Sequence, residues 1–253
     1  MAPRVLILTL AATLLATRAE AASLFVFTGG SLLEPLKTVA ADYTRATGNT
    51  VTFSAATTGV LLKRIHAGEK PDVVVISSEA MDGLLKEGRI APGSALPIAN
   101  SILGVAVRAG APRPDISTPE KFKATMLSAK SIVYPDPALG ATSGTYLRDL
   151  FKQMGIAEAM ATKTIVKPVG AEAAAAVGTG EAEVVVTFIS EMLTNPAIAV
   201  VGPLPRPILN PTPYSAGVSV TAADPATGRA FVEFMTRPDE RAKLKAAGVD
   251  PAA

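Results

Sequence analysis

The chain is expected to fold as an α/β protein of two lobes, each an open, mostly parallel sheet flanked by helices. Three observations lead there. Short apolar runs such as Leu24–Phe27 and Val73–Ile76 alternate with segments of helical periodicity. These runs lack polar alternation, which suits strands covered on both faces. A second strand–helix series follows a Pro- and Gly-rich connector, Arg108–Pro114, and strand and helix in turn argue for open sheets.

Residues 1–22 read as an export signal and are set aside before the fold is considered. Arg4 gives a cationic start, Val5–Leu15 is almost wholly apolar, and Ala19-Glu-Ala21 has the small-x-small form of a cleavage site. The apolar run is too short to span a hydrocarbon core of roughly 30 Å.

The first series then predicts strands at 24–27, 51–53 and 73–76, with helices at 32–43, 60–65 and 79–85. Leu32, Leu33, Leu36, Val39, Ala40 and Tyr43 recur at three- and four-residue spacing, the stripe of a helix with one buried face. Residues 97–107 read as extended. At Ser117-Thr-Pro-Glu120 a helix should begin, with Ser117 as cap, Pro119 in the first turn and Glu120 reaching back. Strands follow near 131–134, 164–166, 183–186 and 197–201, with helices at about 143–154 and 171–178. Residues 214–221 are extended again, and helices at 224–236 and 238–246 close the chain. The expected division is 23–103 plus 218–253 for the first lobe and 104–217 for the second, joined by two crossing strands.

Composition excludes several functions. The formal charge is +2, falling to +1 without residues 1–21, so no electrostatic footprint for nucleic acid exists. There is no Trp, and aromatics make up 5%, so base-stacking platforms are scarce. No cysteine is present, which removes disulfides and a lipid-anchored cysteine. A single histidine, His66, cannot build the usual metal cluster; it reads as a solvated helix end. Neither G-x-G-x-x-G nor G-x-x-x-x-G-K-[ST] occurs. No catalytic residue, metal or cofactor is expected. Asp136, Glu172 and Glu191 fall near the expected cleft and read as caps or surface charges rather than as an acid or base, Tyr146 and Tyr214 as packing residues rather than proton donors.

Four strand-to-helix junctions are rich in Gly, Ser and Thr: Thr28-Gly-Gly30-Ser31, Thr57-Thr58-Gly59, Thr142-Ser143-Gly144 and Val169-Gly170-Ala171. Each would put free backbone N–H groups at a helix N-terminus, which carries roughly half a positive charge. Ligands of open α/β sheets sit at the carboxyl ends of the strands, where these junctions fall. Two junctions from each lobe would cage a small anion without a Lys or Arg. Ser and Thr before helices are also ordinary caps worth about 1 kcal/mol.

At these junctions the chain resembles the molybdate-binding periplasmic proteins, whose fold is the type II periplasmic binding fold. The resemblance runs through Phe25-Val-Phe-Thr-Gly-Gly-Ser-Leu32, Leu62–Val75, Ser143-Gly-Thr-Tyr146 and Gly180-Glu-Ala-Glu183. It implies a soluble, monomeric periplasmic protein that hands a small anion to the membrane permease of an ABC transporter. It also implies ligand contacts at Ser31, Thr58, Ser143, and Gly170 or Ala171. The family's ligand tyrosine falls on Phe188, which has no hydroxyl, and Thr187 and Ser190 are the neighbouring hydroxyls that could stand in. The stretches Val105–Ser117, Ser131–Tyr134 and Tyr146–Arg148 are similar to periplasmic aconitate isomerases. That alternative implies interconversion of cis- and trans-aconitate on the same fold, with cationic clamps drawn from Arg148, Lys167, Arg64 or Lys63.

Overall fold

The computed structural model describes residues 21–252. The export segment expected over 1–22 falls, up to Glu20, outside the described residues. The first lobe begins with β1 (Ser23–Gly29), α1 (Gly30–Thr47), β2 (Thr50–Ala56), α2 (Thr58–His66), β3 (Val73–Ser77), α3 (Ser78–Lys86) and β4 (Leu96–Ser101). The second holds β5 (Leu103–Arg108), α4 (Pro119–Ser128), β6 (Ile132–Pro135), α5 (Thr142–Gln153), α6 (Ala157–Ala161), β7 (Thr164–Lys167), α7 (Gly170–Thr179), β8 (Val184–Phe188) and β9 (Ile198–Pro203). Short 3-10 turns, Pro137–Leu139 and Ile189–Glu191, precede α5 and follow β8. The chain returns through β10 (Thr212–Val218), α8 (Pro225–Met235), α9 (Pro238–Ala246) and β11 (Val249–Pro251).

Six strands form the first sheet in the order β11-β4-β10-β3-β1-β2, and five form the second in the order β7-β6-β8-β5-β9. The sheets are mixed rather than mostly parallel. β1 pairs parallel with β2 and β3, whereas β10 runs antiparallel to both β3 and β4. In the second sheet β6 pairs parallel with β7 and β8, and β5 antiparallel with β8 and β9. Apolar runs cannot report this, because a strand inserted on its return path is as buried as its parallel neighbours. Residues 212–217, expected in the second lobe, pair within the first sheet. The two sheets are therefore joined at Ile102, between β4 and β5, and by the segment 204–211.

Helices cover both faces of each sheet. Leu36, Val39 and Tyr43 of α1 and Phe231 and Met235 of α8 bury one face of the first sheet; Leu61 of α2 and Met81 and Leu84 of α3 bury the other. In the second lobe Phe122, Leu147 and Phe151 lie on one side, and the Ala173, Ala174 and Val177 side of α7 on the other. Each fully buried Leu, Val or Phe contributes about 1.5–3 kcal/mol. α4 is capped by Thr118, whose Oγ1 accepts from Lys121 N at 3.3 Å, rather than by Ser117. Pro119 sets the register, because its fixed φ and missing N–H suit the first helical position.

Candidate functional site

The carboxyl ends of β1, β2, β6 and β8 face one another across the lobes and line a small cleft, about 290 Å³ of empty space when the open solvent at its mouth is counted. Its wall includes Gly30 and Ser31 from α1, Thr57 and Thr58 at α2, Thr142 and Ser143 at α5, and Gly170 at α7. All four junctions singled out in the sequence thus meet at one hollow. Among the described residues no Lys, Arg or His lines it. Four helix N-termini supply its positive potential.

Several direct contacts hold the lobes together at this point. Thr57 Oγ1 donates to Leu139 O, and Gly59 N donates to Gly140 O at 3.2 Å. A Cβ on Gly59 would stand 2.8 Å from Gly140 Cα, so this approach requires glycine. Pro35 lies inside α1 and has no N–H for the carbonyl four residues before it, which is that of Ser31. That carbonyl instead accepts from Ser190 Oγ of the second lobe, at 2.7 Å.

Phe188 lines the cavity but offers only its ring, as expected. A tyrosine does stand beside it in the wall, Tyr214 on β10. Its ring packs edge-on against Phe188 with centroids 6.4 Å apart, and its hydroxyl lies 3.4 Å from Thr142 Oγ1. The same ring keeps Gly29 side-chain-free, since a Cβ there would meet Tyr214 Cε1 at 2.7 Å. Burial raises the Tyr214 phenol above its ordinary pKa, so it stays a neutral donor. The Thr187 and Ser190 hydroxyls are engaged within the protein. Thr187 donates to Glu191 and Ser190 to the Ser31 carbonyl. Ser31 Oγ bonds to Ser101 Oγ at 2.9 Å, while buried Thr58 Oγ1 has no hydrogen-bond partner.

Three of the candidate residues stand off the wall. Thr28 is fully buried in β1 and its hydroxyl donates to Gly29 O. Gly144 is glycine because a Cβ would collide with the Pro135 carbonyl, 1.8 Å away, so it serves packing of α5 on β6. Ala171 faces outward and is exposed. The four cations considered as clamps also lie elsewhere. Arg148 pairs with Asp149, Lys167 with Glu181, Arg64 with Glu69, and Lys63 is exposed.

Glu191 is the main departure from the sequence reading. It is neither cap nor surface charge but part of the cavity wall, at the end of the turn after β8. Thr187 Oγ1 donates to its Oε2 at 2.6 Å, and the Phe188 and Gly170 N–H groups also face the carboxyl. A Cβ on Gly170 would lie 1.8 Å from Oε2, and one on Gly30 2.8 Å from Oε1. The Gly170 N–H, expected to meet a ligand, is thus directed at Glu191. Burial pushes the Glu191 carboxyl up to about 7, and the surrounding donors offset only part of this. The sequence places Glu191 near the cleft but favours a cap or surface charge there, and favours packing for Tyr214, because no local motif surrounds either. Asp136 does act as a cap, accepting from Ala138 N at 2.8 Å, and Glu172 is exposed. His66 is likewise exposed and pairs with Glu87.

Similarity to known proteins agrees with this architecture. Aconitate isomerase from Pseudomonas sp is 32% identical over 265 aligned residues, covering 99% of this chain and 98% of that protein. Among solved structures, the periplasmic molybdate-binding protein of Azotobacter vinelandii superposes with a TM-score of 0.78 at 20% identity, covering 91% of this chain and all of that one. The sulfate-binding protein of Mycobacterium tuberculosis H37Rv gives 0.73 at 16% identity, covering 91% and 87%. These low identities establish the fold alone. The family model for bacterial extracellular solute-binding proteins matches residues 24–250, and the chain belongs to that family.

Proposed function

We propose that the chain is an exported periplasmic binding protein that closes its lobes over a small anion, an oxyanion or organic carboxylate, and presents it to an ABC-type permease. The observation that carries this reading is the convergence of four helix N-termini from both lobes on one cation-free cavity, with the Thr58 hydroxyl unpartnered in its wall. Backbone N–H groups and helix ends favour negative charge without the desolvation cost of burying a cation. Closure is a hinge motion about Ile102 and the segment 204–211. The test is a thermal-shift panel of molybdate, tungstate, sulfate, phosphate and di- and tricarboxylates. An anion present at 100 times its Kd stabilises by about 2.7 kcal/mol, a rise of roughly 5–10 °C. A panel with no shift at millimolar concentration would remove the reading.

A second reading, aconitate isomerisation, is favoured by one observation: a carboxyl with a pKa of about 7 in the cavity wall, which suits a general base. Glu191 would take a proton from the ligand's methylene carbon and return it to the far carbon as the double bond shifts between them. No oxidant or second substrate is needed. Ultraviolet absorbance of cis- and trans-aconitate decides it. A steady change with the wild type that Glu191→Gln abolishes supports isomerisation, and no change at high protein concentration excludes it.

A further inference from the structure

We propose that the cleft admits its anion together with one proton, shared between Glu191 and the ligand, so that Glu191 selects anions able to hydrogen-bond a carboxyl. This rests on the anion-binding reading above. The carboxyl is wedged between the first residues of α1 and α7, where an added Cβ would collide with it from either side. Oε2 is engaged by Thr187, while Oε1 lies on the side of Gly30, a residue of the cavity wall.

Among the described residues the surroundings offer the ionised carboxyl neutral donors but no cation, and so compensate it only in part. From β8 the facing groups are the Thr187 hydroxyl and the Phe188 N–H, and from α7 the Gly170 N–H. From β10 it is the Tyr214 phenol, itself held neutral. Glu172 of α7 is exposed, and Glu34 of α1 is turned to Lys37. With no cation in the wall, an ionised Glu191 and a bound anion repel, and one proton between them converts repulsion into a charge-assisted hydrogen bond. The proton is supplied by Glu191 to a fully ionised ligand, or by a ligand that retains one acidic hydrogen.

Because the free carboxyl titrates near 7, affinity for a fully ionised anion should be nearly constant below that pH. Above it, affinity should fall about tenfold per pH unit. Isothermal titration with sulfate, molybdate and trans-aconitate, from pH 6 to 9 in buffers of different ionisation enthalpy, reads both affinity and proton uptake. For a probe that binds, uptake of about half a proton is expected at pH 7, rising toward one at pH 9. Glu191→Gln keeps the shape of the neutral carboxyl, and should bind with no uptake and a flat pH profile. Circular dichroism confirms that the variant is folded. Wild-type binding with no proton uptake, or a Glu191→Gln variant that keeps the pH dependence, overturns the proposal and leaves anion binding standing. Failure of all three probes and of the wider anion panel overturns both.

Discussion

Replacing Thr58 with Val separates a ligand-binding hydroxyl from a capping one, because the two roles give opposite signs. Thr58 is buried, and among the described residues its Oγ1 makes no hydrogen bond of good geometry; its polar neighbour is the Tyr214 phenol, which it helps to hold down against the upward push of burial. The capping role belongs to the preceding residue, Thr57, whose side chain accepts from Val60 N at 3.3 Å. An orphaned buried hydroxyl costs about 1–3 kcal/mol. Thr58→Val preserves shape and removes that cost, so the unliganded protein should gain about 1 kcal/mol, or roughly 2–4 °C in Tm. Ligand affinity should fall, since a hydrogen bond of about 1 kcal/mol is lost, which is about fivefold in Kd. Urea unfolding without ligand and titration calorimetry with the best anion of the panel measure the two quantities separately. A variant less stable than wild type with unchanged affinity would refute the assignment of Thr58 to the ligand.

Three further outcomes follow from the cavity wall. Gly59→Val should obstruct the approach of α2 to Gly140, raising the radius of gyration in solution scattering and weakening anion affinity tenfold or more, because overpacking a close contact costs about 1–3 kcal/mol. Tyr214→Phe should weaken binding about fivefold with little change in unfolding, since the ring still packs on Phe188 while one donor of about 1 kcal/mol is gone. Glu191 should make unliganded stability pH-dependent. Its folded pKa is raised from 4.5 to about 7, so its contribution is fully present below pH 4.5 and is lost as pH rises through 7. The loss between pH 5 and 8 is about 1–2.5 kcal/mol, the lower figure allowing for water in the cavity. Unfolding curves of wild type and Glu191→Gln at both pH values should diverge by that amount, and parallel profiles would exclude the effect.

The alternation of apolar runs and helical stripes made most elements legible, because strand and helix periodicities are local. The four junctions were legible for the same reason: strand end, small residues and helix start are contiguous in the chain. The sequence could not separate two uses of glycine. Gly59 and Gly144 both lie in the first turn of a helix, yet one admits the opposite lobe and the other admits the Pro135 carbonyl. The places of Tyr214 and Glu191 in the cavity wall were out of reach for a different reason. Tyr214 arrives on a strand threaded between β3 and β4, and Glu191 on a turn whose direction depends on Thr187 and the α7 N-terminus. A tyrosine hydroxyl reaches the neighbourhood of Phe188 from a strand of the opposite sheet, 26 residues downstream, a juxtaposition in space that no position-by-position comparison displays.

The place of β10 bears on how the molecule comes into being. This strand fills the interior of the first sheet, yet it is made after the whole second lobe. A growing chain can finish the second lobe while β3 and β4 still wait with bare edges. Until residue 218 emerges, those edges are open to mispairing, which makes the late half of synthesis the interval in which a chaperone has most to protect.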